Sequence, residues 1–281
     1  MSGNSPIARA LGRALRTARE AAGQSLRDVS VKIGTSIPTI SRWETGDRFP
    51  RPEDVSAMLT AVGADPRRRE QLVELARYAN PKQWLSLRLA DRELMMMAFL
   101  EYERCARRIV YAAPLLVPGL LQTSGYTRAI MTTGGLSPAE AESRVRVRAG
   151  RREVLTKPTP VELLALIGEA ALRHEIGGPP VLLHQLKYLA ACRERANIDL
   201  RVLPDSAGWT PLLTGPFMLL EDHEGQSVVQ LEYLVSGALF HLPEDVDAYR
   251  EAVPKLVEAA LSPADSAQFI ARRTAELEAK T

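Results

Sequence analysis

The chain has 281 residues, of which 46% are apolar and 25% are charged, with a formal net charge of +2. This balance is typical of a folded protein with one large or two ordinary domains, and it excludes wholesale disorder. No apolar run reaches the roughly 18 residues of a membrane span, and the N-terminus lacks the apolar core of a secretory signal. The two cysteines, Cys105 and Cys192, are too far apart in the sequence for a metal site or a disulfide framework. We therefore expect a cytoplasmic protein.

Residues 1–80 have the pattern of several short helices separated by turn residues. Ser25 is predicted to cap the second helix, Asp28 completes a capping-box-like start, and Gly34 ends that helix. The first helix is predicted from apolar residues that recur every three or four positions before Gly23: Ile7, Leu11, Leu15, Ala18 and Ala22.

A third helix follows directly. Ser36 is its predicted N-cap, Pro38 lies in its first turn, where a missing N–H costs nothing, and Gly46 closes it. After the extended segment RFPRP, Pro52 is predicted to begin another helix.

Two short helices joined by a turn that contains Gly form the helix-turn-helix signature, whose second helix enters the major groove of DNA. Ile40 and Trp43 share one face and are expected to pin that helix to the domain. Arg42 on the other side can donate two hydrogen bonds to guanine, Ile37 can pack on a thymine methyl, and the remaining polar residues suit phosphates or bases. The predicted DNA-binding residues are Gln24, Ser25, Ser36, Ile37, Pro38, Thr39, Ser41, Arg42, Thr45, Arg48 and Arg51.

The segment GQSLRDVSVKIGTSIPTISRWETGDRFPRP resembles the xenobiotic-response-element (XRE) helix-turn-helix family, which includes the lambdoid phage repressors. The resemblance implies a five-helix, lambda-repressor-like domain. It also implies a buried ion pair between the first helix and the recognition helix, for which Arg19 and Glu44 occupy the matching positions. Many relatives carry a phosphate-gripping Gln where this chain has Leu26, so any contact there falls to Ser25, Gln24 or the backbone N–H groups.

The charge distribution agrees with this interpretation. Residues 1–80 contain 13 lysines and arginines against nine acidic residues, whereas the remainder contains 23 against 25. A basic front suits nucleic acid, although the excess is small. The alternative is a small helical interaction domain whose Ser, Thr and Arg side chains are simply solvated; the caps, the glycine positions and the trailing R-x-P-R-P favour DNA binding.

Residues 81–135 are assigned as a helical linker and dimerisation segment. The spacing predicts a helix over 81–112 that carries the cluster Met95–Met97, which suits core or dimer packing and, less commonly, an adaptable binding surface. An apolar loop, APLLVPGLLQTSGY, then leads into a helix around 123–132.

Residues 136–281 are assigned as a C-terminal α+β sensor or interaction domain. Four short apolar runs are predicted strands, namely VELLALI, IDLRVL, FMLLE and SVVQLEYL. Helical segments lie around them, and Pro243 and Pro263 mark two helix starts. The predicted fold is therefore an all-α front followed by a mixed α/β domain.

The arginine-rich run RVRVRAGRRE, residues 144–153, has two interpretations. As a helix it is a solvated face, with Glu142 and Glu153 as ion-pair partners or with salt bridges to another subunit. As a basic element it provides an auxiliary phosphate contact. The strong helix formers around it favour the first.

No catalytic pattern is found. The four histidines are scattered, and Walker loops, nucleophile elbows and dinucleotide-binding glycines are absent from the sequence, so no catalytic residue, metal or cofactor is predicted. Glu169 and Glu232 interrupt apolar surroundings and offer a ligand site; the more ordinary alternatives are a helix N-terminus for Glu169 and the solvent face of a strand for Glu232.

The rear of the chain, from about residue 98 to 272, resembles actinobacterial antitoxin-like transcriptional regulators of the Scr1 type. The resemblance is carried by RRIVYAAPLLVPGLLQTSGYTRAIM, GEAALRHEIGG, HQLKYL and IDLRVLP, and VPGLLQT-x-x-Y is its most specific motif. It implies a regulator that often works with a small partner protein, and it carries over no catalytic residue. By itself PGLLQT is a turn whose two leucines serve either the core or a partner groove.

Together these observations predict a sequence-specific regulator that binds a palindromic operator in double-stranded DNA as a homodimer. The rear domain would receive a small-molecule or protein signal. Two alternatives remain: an antitoxin-like protein that binds a small partner and autoregulates its operon, and an enzyme fused to a DNA-targeting domain.

Overall fold

The computed structural model describes residues 6–78, 85–86, 89–232 and 237–280. The chain divides into two compact units. The first comprises Met1–Cys105 and Val228–Pro243, and the second comprises Ala106–Ser227 and Glu244–Thr281.

The first unit begins with the five helices that the sequence predicts, which confirms the helix-turn-helix fold class of the front. They are α1 Pro6–Ala21, α2 Leu26–Ile33, α3 Ile37–Glu44, α4 Pro52–Ala61 and α5 Pro66–Tyr78. The predicted capping box at the start of α2 is present, because Ser25 accepts a hydrogen bond from the backbone N–H of Asp28 and the Asp28 carboxylate accepts one from the Ser25 N–H. Gly34 ends α2 in the left-handed conformation, with φ 66°.

These helices enclose one apolar core. Every helix contributes to it, since side chains at helical spacing from all five are almost completely buried. Representative members are Leu11, Leu15, Val29, Ile40, Trp43, Val55, Leu59, Leu72 and Leu75.

A sixth helix and a small strand group complete the first unit. Helix α6 Leu89–Cys105 packs on α1, and the Tyr102 hydroxyl donates a hydrogen bond to the Pro6 carbonyl at 2.9 Å. Met97 contacts the front core, so this methionine takes the packing role that the sequence favoured. The strands β1 Leu85–Ser86 and β7 Gly237–Phe240 pair antiparallel, and β7 also pairs antiparallel with β6 Ser227–Glu232.

The helix predicted over 81–112 is wrong beyond residue 105. Residues 81–84 and 87–88 lie outside the described part of the chain. Ala106–Ala113 is strand β2, so 81–135 is not one helical segment. A short apolar run such as this one is ambiguous between helix and buried strand, and pairing with two distant strands decides its conformation.

The second unit has a mixed sheet, as the sequence predicts. Strands β2, β3 Glu162–Gly168 and β4 Ile198–Leu203 are parallel neighbours in that order. Strand β5 Phe217–Asp222 pairs antiparallel with the other side of β2. Three of the four predicted strand runs are β3, β4 and β5, and the fourth is β6, as far as it is described.

Helices connect and flank these strands. Two helices lie between β2 and β3, two lie between β3 and β4, and two form the C-terminus; the last two begin at Pro243 and Pro263 as predicted. They are α7 Ser124–Thr133, α8 Pro138–Arg151, α9 Glu169–Arg173, α10 Pro179–Cys192, α11 Pro243–Ala259 and α12 Pro263–Glu278. Among the helices that the structure describes, none is long and apolar enough to cross a membrane.

Candidate nucleic-acid interface

The predicted recognition helix α3 has one buried side and one exposed side. Ile40 is completely buried and Trp43 is 4% exposed, and both belong to the core of the front helices. On the outer side, Arg42 is exposed and Ser41 is half-buried. The core residues therefore hold α3 in place while the opposite side remains accessible.

Most of the predicted DNA-binding residues lie at this exposed surface. Thr39 is half-buried like Ser41, and the other residues of α3 and its flanks are exposed, which brings the set together on one helix and the segment that follows it. The exposed members are Ser36, Ile37, Pro38, Arg42, Thr45, Arg48 and Arg51. This surface is called the α3 face below.

Arg42 and Arg48 differ from the other charged groups of the α3 face. Within the described residues, no hydrogen bond or ion pair holds either guanidinium group. The backbone N–H of Arg48 donates to the Arg42 carbonyl at 2.9 Å, which places the two residues next to each other in space. Two adjacent cations at a solvent-facing helix end suit a polyanion such as DNA.

Four other polar residues of the α3 face are engaged within the chain. Arg51 donates to both carboxylate oxygens of Asp54, at 3.1 and 3.2 Å, and the Thr45 hydroxyl donates to Asp47 at 2.7 Å. Ser36 makes no side-chain cap hydrogen bond, and its hydroxyl lies 2.9 Å from the Thr39 hydroxyl instead. A phosphate contact by any of them would replace an internal hydrogen bond.

The start of α2 differs from the expectation at Gln24. Its side-chain amide donates to the Ala61 carbonyl at 3.3 Å, and its Oε1 atom is buried without a described partner, so the side chain is turned into the domain. Ser25 is exposed, but its hydroxyl donates to the Asp28 carboxylate at 2.7 Å. This hydrogen bond lowers the pKa of Asp28 below its ordinary value. An ionised carboxylate therefore lies where a phosphate would approach the N-terminus of α2.

The residues expected to form the ion pair between the first helix and the recognition helix are in contact. Arg19 donates from Nε to one oxygen of Glu44 at 2.6 Å and from Nη2 to the other oxygen at 2.8 Å. Its remaining nitrogen donates to the Gln24 carbonyl at 2.9 Å. The hydrogen bond to Glu44 raises the pKa of Arg19, and the two side chains are only 10% and 5% exposed. This bidentate pair joins α1 to the C-terminal end of α3.

Gly12 lies where α1 packs against α3, a role that was not predicted from the sequence. A Cβ atom at this position would lie 2.4 Å from the Trp43 carbonyl oxygen and 2.7 Å from that of Glu44. Helices α1 and α3 therefore approach closely at Gly12, next to the ion pair. A glycine inside an amphipathic helix was the available signal, because glycine there costs helix stability unless packing requires it.

We expect Gly12→Ala to lower the free energy of unfolding by about 1–3 kcal/mol, since the added methyl group must push the backbone of α3 away. Urea unfolding measures the effect. Gly150→Ala is the matched control: Gly150 also lies in a helix, and a Cβ there meets nothing within 4 Å. That control is expected to be neutral or slightly stabilising. Equal stability of the two variants would contradict the close approach of α1 and α3.

The motif VPGLLQT-x-x-Y of the second unit has a structural role. Leu120, Leu121 and Tyr126 are completely buried, so the leucines of PGLLQT belong to the core. Gln122 donates to the Val117 carbonyl at 2.8 Å and accepts from Arg148 at 2.6 Å. The motif is therefore a buried turn held by its own Gln122 and by side chains of α8 and α10.

The arginine-rich run is helical and not a strand, because it lies in α8 as far as Arg151 and continues into a 3-10 turn, Arg152–Leu155. Arg148 is held by Gln122, and Arg152 lies over the Tyr188 ring at 5.8 Å. Glu142 pairs with Arg128 of α7, at 3.2 Å from its Nη2, and not with an arginine of the run. Arg144 and Arg146 are exposed, as on a solvated helix face.

The two glutamates that interrupt apolar surroundings have different environments. Glu169 begins α9, and its carboxylate accepts from the Asp205 N–H at 3.0 Å and from Arg173 Nε at 2.7 Å. Glu232 is exposed at the end of β6. Both positions agree with the ordinary alternatives given above, a helix N-terminus for Glu169 and the solvent face of a strand for Glu232.

Comparison with known families gives two matches. A family described as a domain of unknown function, DUF5753, matches residues 96–272, and a helix-turn-helix domain matches residues 10–72. No curated protein and no solved structure matches the chain.

Proposed function

Since the chain belongs to the DUF5753 family and carries a helix-turn-helix domain in front of it, we propose that it is a sequence-specific transcriptional regulator of the XRE type that binds its operator as a homodimer. The helix-turn-helix domain supports DNA binding in general. Three parts go beyond this general support and are our proposal: recognition of a specific operator sequence, pairing of two copies, and binding of a signal by the rear domain.

One observation carries the proposal. Buried Ile40 and Trp43 hold α3, while Arg42 and Arg48 stand exposed on the α3 face without a described internal partner. A guanidinium group in this position can donate two hydrogen bonds to O6 and N7 of a guanine, which distinguishes that base from the others. Arg48, beyond the helix end, suits a phosphate, which positions the protein without reading sequence.

We propose a homodimer because one recognition helix offers only a small surface to DNA. A single recognition helix contacts only a few base pairs, and two copies on half-sites about one helical turn of DNA apart are the usual way to gain affinity. We therefore propose a palindromic operator. Regulation of this kind would take place in the cytoplasm, with the rear domain binding a small molecule or a small protein.

The test is the binding of the purified chain to its own upstream DNA, by fluorescence anisotropy across a salt series and with excess competitor DNA. Specific binding whose affinity falls steeply with salt supports the proposal. Binding that competitor DNA abolishes at every salt concentration, together with a small protein that co-purifies with the chain, would instead favour an antitoxin-like interaction protein.

Arg48→Ala is expected to weaken binding to operator and competitor DNA by the same factor, because a phosphate contact is independent of sequence. The slope of log affinity against log salt should fall in magnitude by about one, the contribution of one phosphate contact. The same salt series measures both quantities. A selective loss of operator binding would show that Arg48 reads bases.

A further inference from the structure

The three parallel strands of the second unit end at one edge of the sheet. Ala113 pairs with Ile167 and Gly168 pairs with Leu203, so the last residues of β2, β3 and β4 are aligned there. The segments that follow these strands therefore meet at the same edge.

The connection from β4 to β5 must cross this edge. Strand β5 pairs with the side of β2 that faces away from β3, whereas β4 lies beyond β3, so residues 204–216 pass over the ends of β3 and β2. The crossing segment is anchored at its start, where the Asp205 N–H donates to Glu169, and in its middle, where Thr210 and Leu212 are buried.

Next to these anchors the segment exposes large apolar side chains. Trp209 is 76% exposed and Leu213 is 65% exposed. An exposed tryptophan of this extent is unusual on a surface that meets only water, because the indole ring is one of the largest apolar groups in a protein.

The loop after β2 adds two more leucines at the same edge. Leu115 is 57% exposed and Leu116 is 44% exposed. The loop is fixed against the neighbouring strand, because a Cβ at Gly168 would lie 2.3 Å from the Pro114 carbonyl oxygen, and His174 Nδ1 lies 3.4 Å from the Leu115 carbonyl oxygen. Leu115, Leu116, Trp209 and Leu213 are called the carboxyl-edge patch below.

Apart from Asp205 at the start of the crossing segment, the segments that carry the patch contain no charge. Residues 114–119 read PLLVPG and residues 206–216 read SAGWTPLLTGP, although 25% of the whole chain is charged. Nucleic acid or an anionic membrane would require lysines or arginines here. Depletion of charge around an aromatic residue is instead the composition of the centre of a protein–protein interface.

We propose that the carboxyl-edge patch is the surface through which two copies of this chain pair, an inference that rests on the homodimer of the proposed function. In a two-fold interface the same patch is present on both copies, and a charge near the symmetry axis meets a like charge. An uncharged apolar patch avoids this repulsion.

The area of the patch agrees with a second copy as the occupant. With roughly 250 Å² for a tryptophan and roughly 120 Å² for a leucine, the exposed fractions amount to about 400 Å² in each copy. Two such patches would bury about 800 Å² of apolar area, and since about 65% of a homodimer interface is apolar, the whole interface would cover about 1,200 Å². That is the lower limit for a stable, specific interface.

The experiment is sedimentation velocity of the full chain over a concentration series, with the wild type, Trp209→Glu and Leu213→Glu. Each variant buries a charge in the apolar interface from both copies, and each is expected to raise the dimer dissociation constant about 30-fold or more, the size of a hot-spot effect. Val147→Glu is the matched control, since Val147 is 50% exposed on α8 of the same unit. It should leave the dimer unchanged. Far-UV circular dichroism checks that each variant is folded.

A dimer that persists in both patch variants would overturn the inference, as would a wild type that is monomeric at every concentration. A monomeric wild type whose bound small protein is lost in Trp209→Glu would also overturn it, in favour of a different occupant. The proposed function fails separately. If Trp209→Glu weakens the dimer but the wild type shows no specific DNA binding, the pairing surface is supported and the regulator proposal is contradicted. If the wild type binds DNA specifically but Trp209→Glu leaves the dimer unchanged, the regulator proposal is supported and the pairing surface is contradicted.

Discussion

Replacing Arg19 with alanine is expected to lower the free energy of unfolding of the front helices by about 3–5 kcal/mol. The variant leaves the Glu44 carboxylate, whose side chain is only 5% exposed, without the two hydrogen bonds that now compensate its burial. A buried charge without a partner is far more costly than the loss of an exposed pair. Because Glu44 ends α3, the variant should also displace the recognition helix and reduce DNA binding.

Urea unfolding of the full chain, combined with hydrogen exchange of the α1 and α3 amides, measures this effect where it arises. The control is Arg77→Ala, which removes the same side chain from an ion pair with Glu74, whose members are 61% and 43% exposed. That pair is expected to contribute less than about 0.5 kcal/mol. A cost for Arg19→Ala no larger than that of the control would show that the pair is solvated and does not hold α3.

A double replacement separates the cost of an orphaned charge from the value of the pair. In Arg19→Met with Glu44→Leu, no charge remains buried, so the double variant should be much more stable than Arg19→Ala and close to the wild type in stability. Loss of the hydrogen bond from Arg19 to the Gln24 carbonyl is the main residual cost. Such a result would show that the Arg19–Glu44 pair positions α3 and adds little to the net stability of the fold.

Arg42→Ala is expected to reduce the ratio of operator affinity to competitor affinity by roughly tenfold or more, equivalent to the 1–3 kcal/mol of a bidentate contact with a guanine. The fold should be unaffected, because the side chain is exposed and no described residue holds its guanidinium group. The measured quantity is the ratio of the two affinities at one salt concentration, so a uniform loss of binding does not count as a loss of discrimination.

The comparison between Arg42 and Arg48 makes this test specific. Both are exposed arginines of the α3 face, and their backbones are joined by one hydrogen bond, so general electrostatic effects of removing a charge are matched. Arg42→Ala should change the ratio, and Arg48→Ala should leave it unchanged while reducing the salt slope. Equal behaviour of the two variants would contradict base reading by Arg42.

The helical front was predictable because its signals are local. Capping by Ser25 and Asp28, the stop at Gly34 and the helix start at Pro52 each depend on residues within one helical turn. The spacing of Ile40 and Trp43 indicated which side of α3 is buried. The Arg19–Glu44 contact came only from the family resemblance, since nothing local in the sequence joins residues 25 positions apart.

Other features depend on distant parts of the chain. Gln24 was expected to face DNA but reaches the Ala61 carbonyl, a partner that no local pattern indicates. Gly12 appears in the sequence as a weak point of a helix, and only the crossing of α1 and α3 shows that a side chain there would meet the backbone of Trp43.

The sequence by itself determined the helices of the front, four of the strands and the side of α3 that faces outward, because these follow from periodicity and from residues close together in the chain. Tertiary structure decided that Ala106–Ala113 is a strand and that residues 204–216 cross the sheet edge with Trp209 exposed. The physical reason is the same for both. Strand β2 satisfies its backbone groups by pairing with β3 and β5, which lie far away in the chain, so its conformation is a property of the assembled sheet and not of the segment.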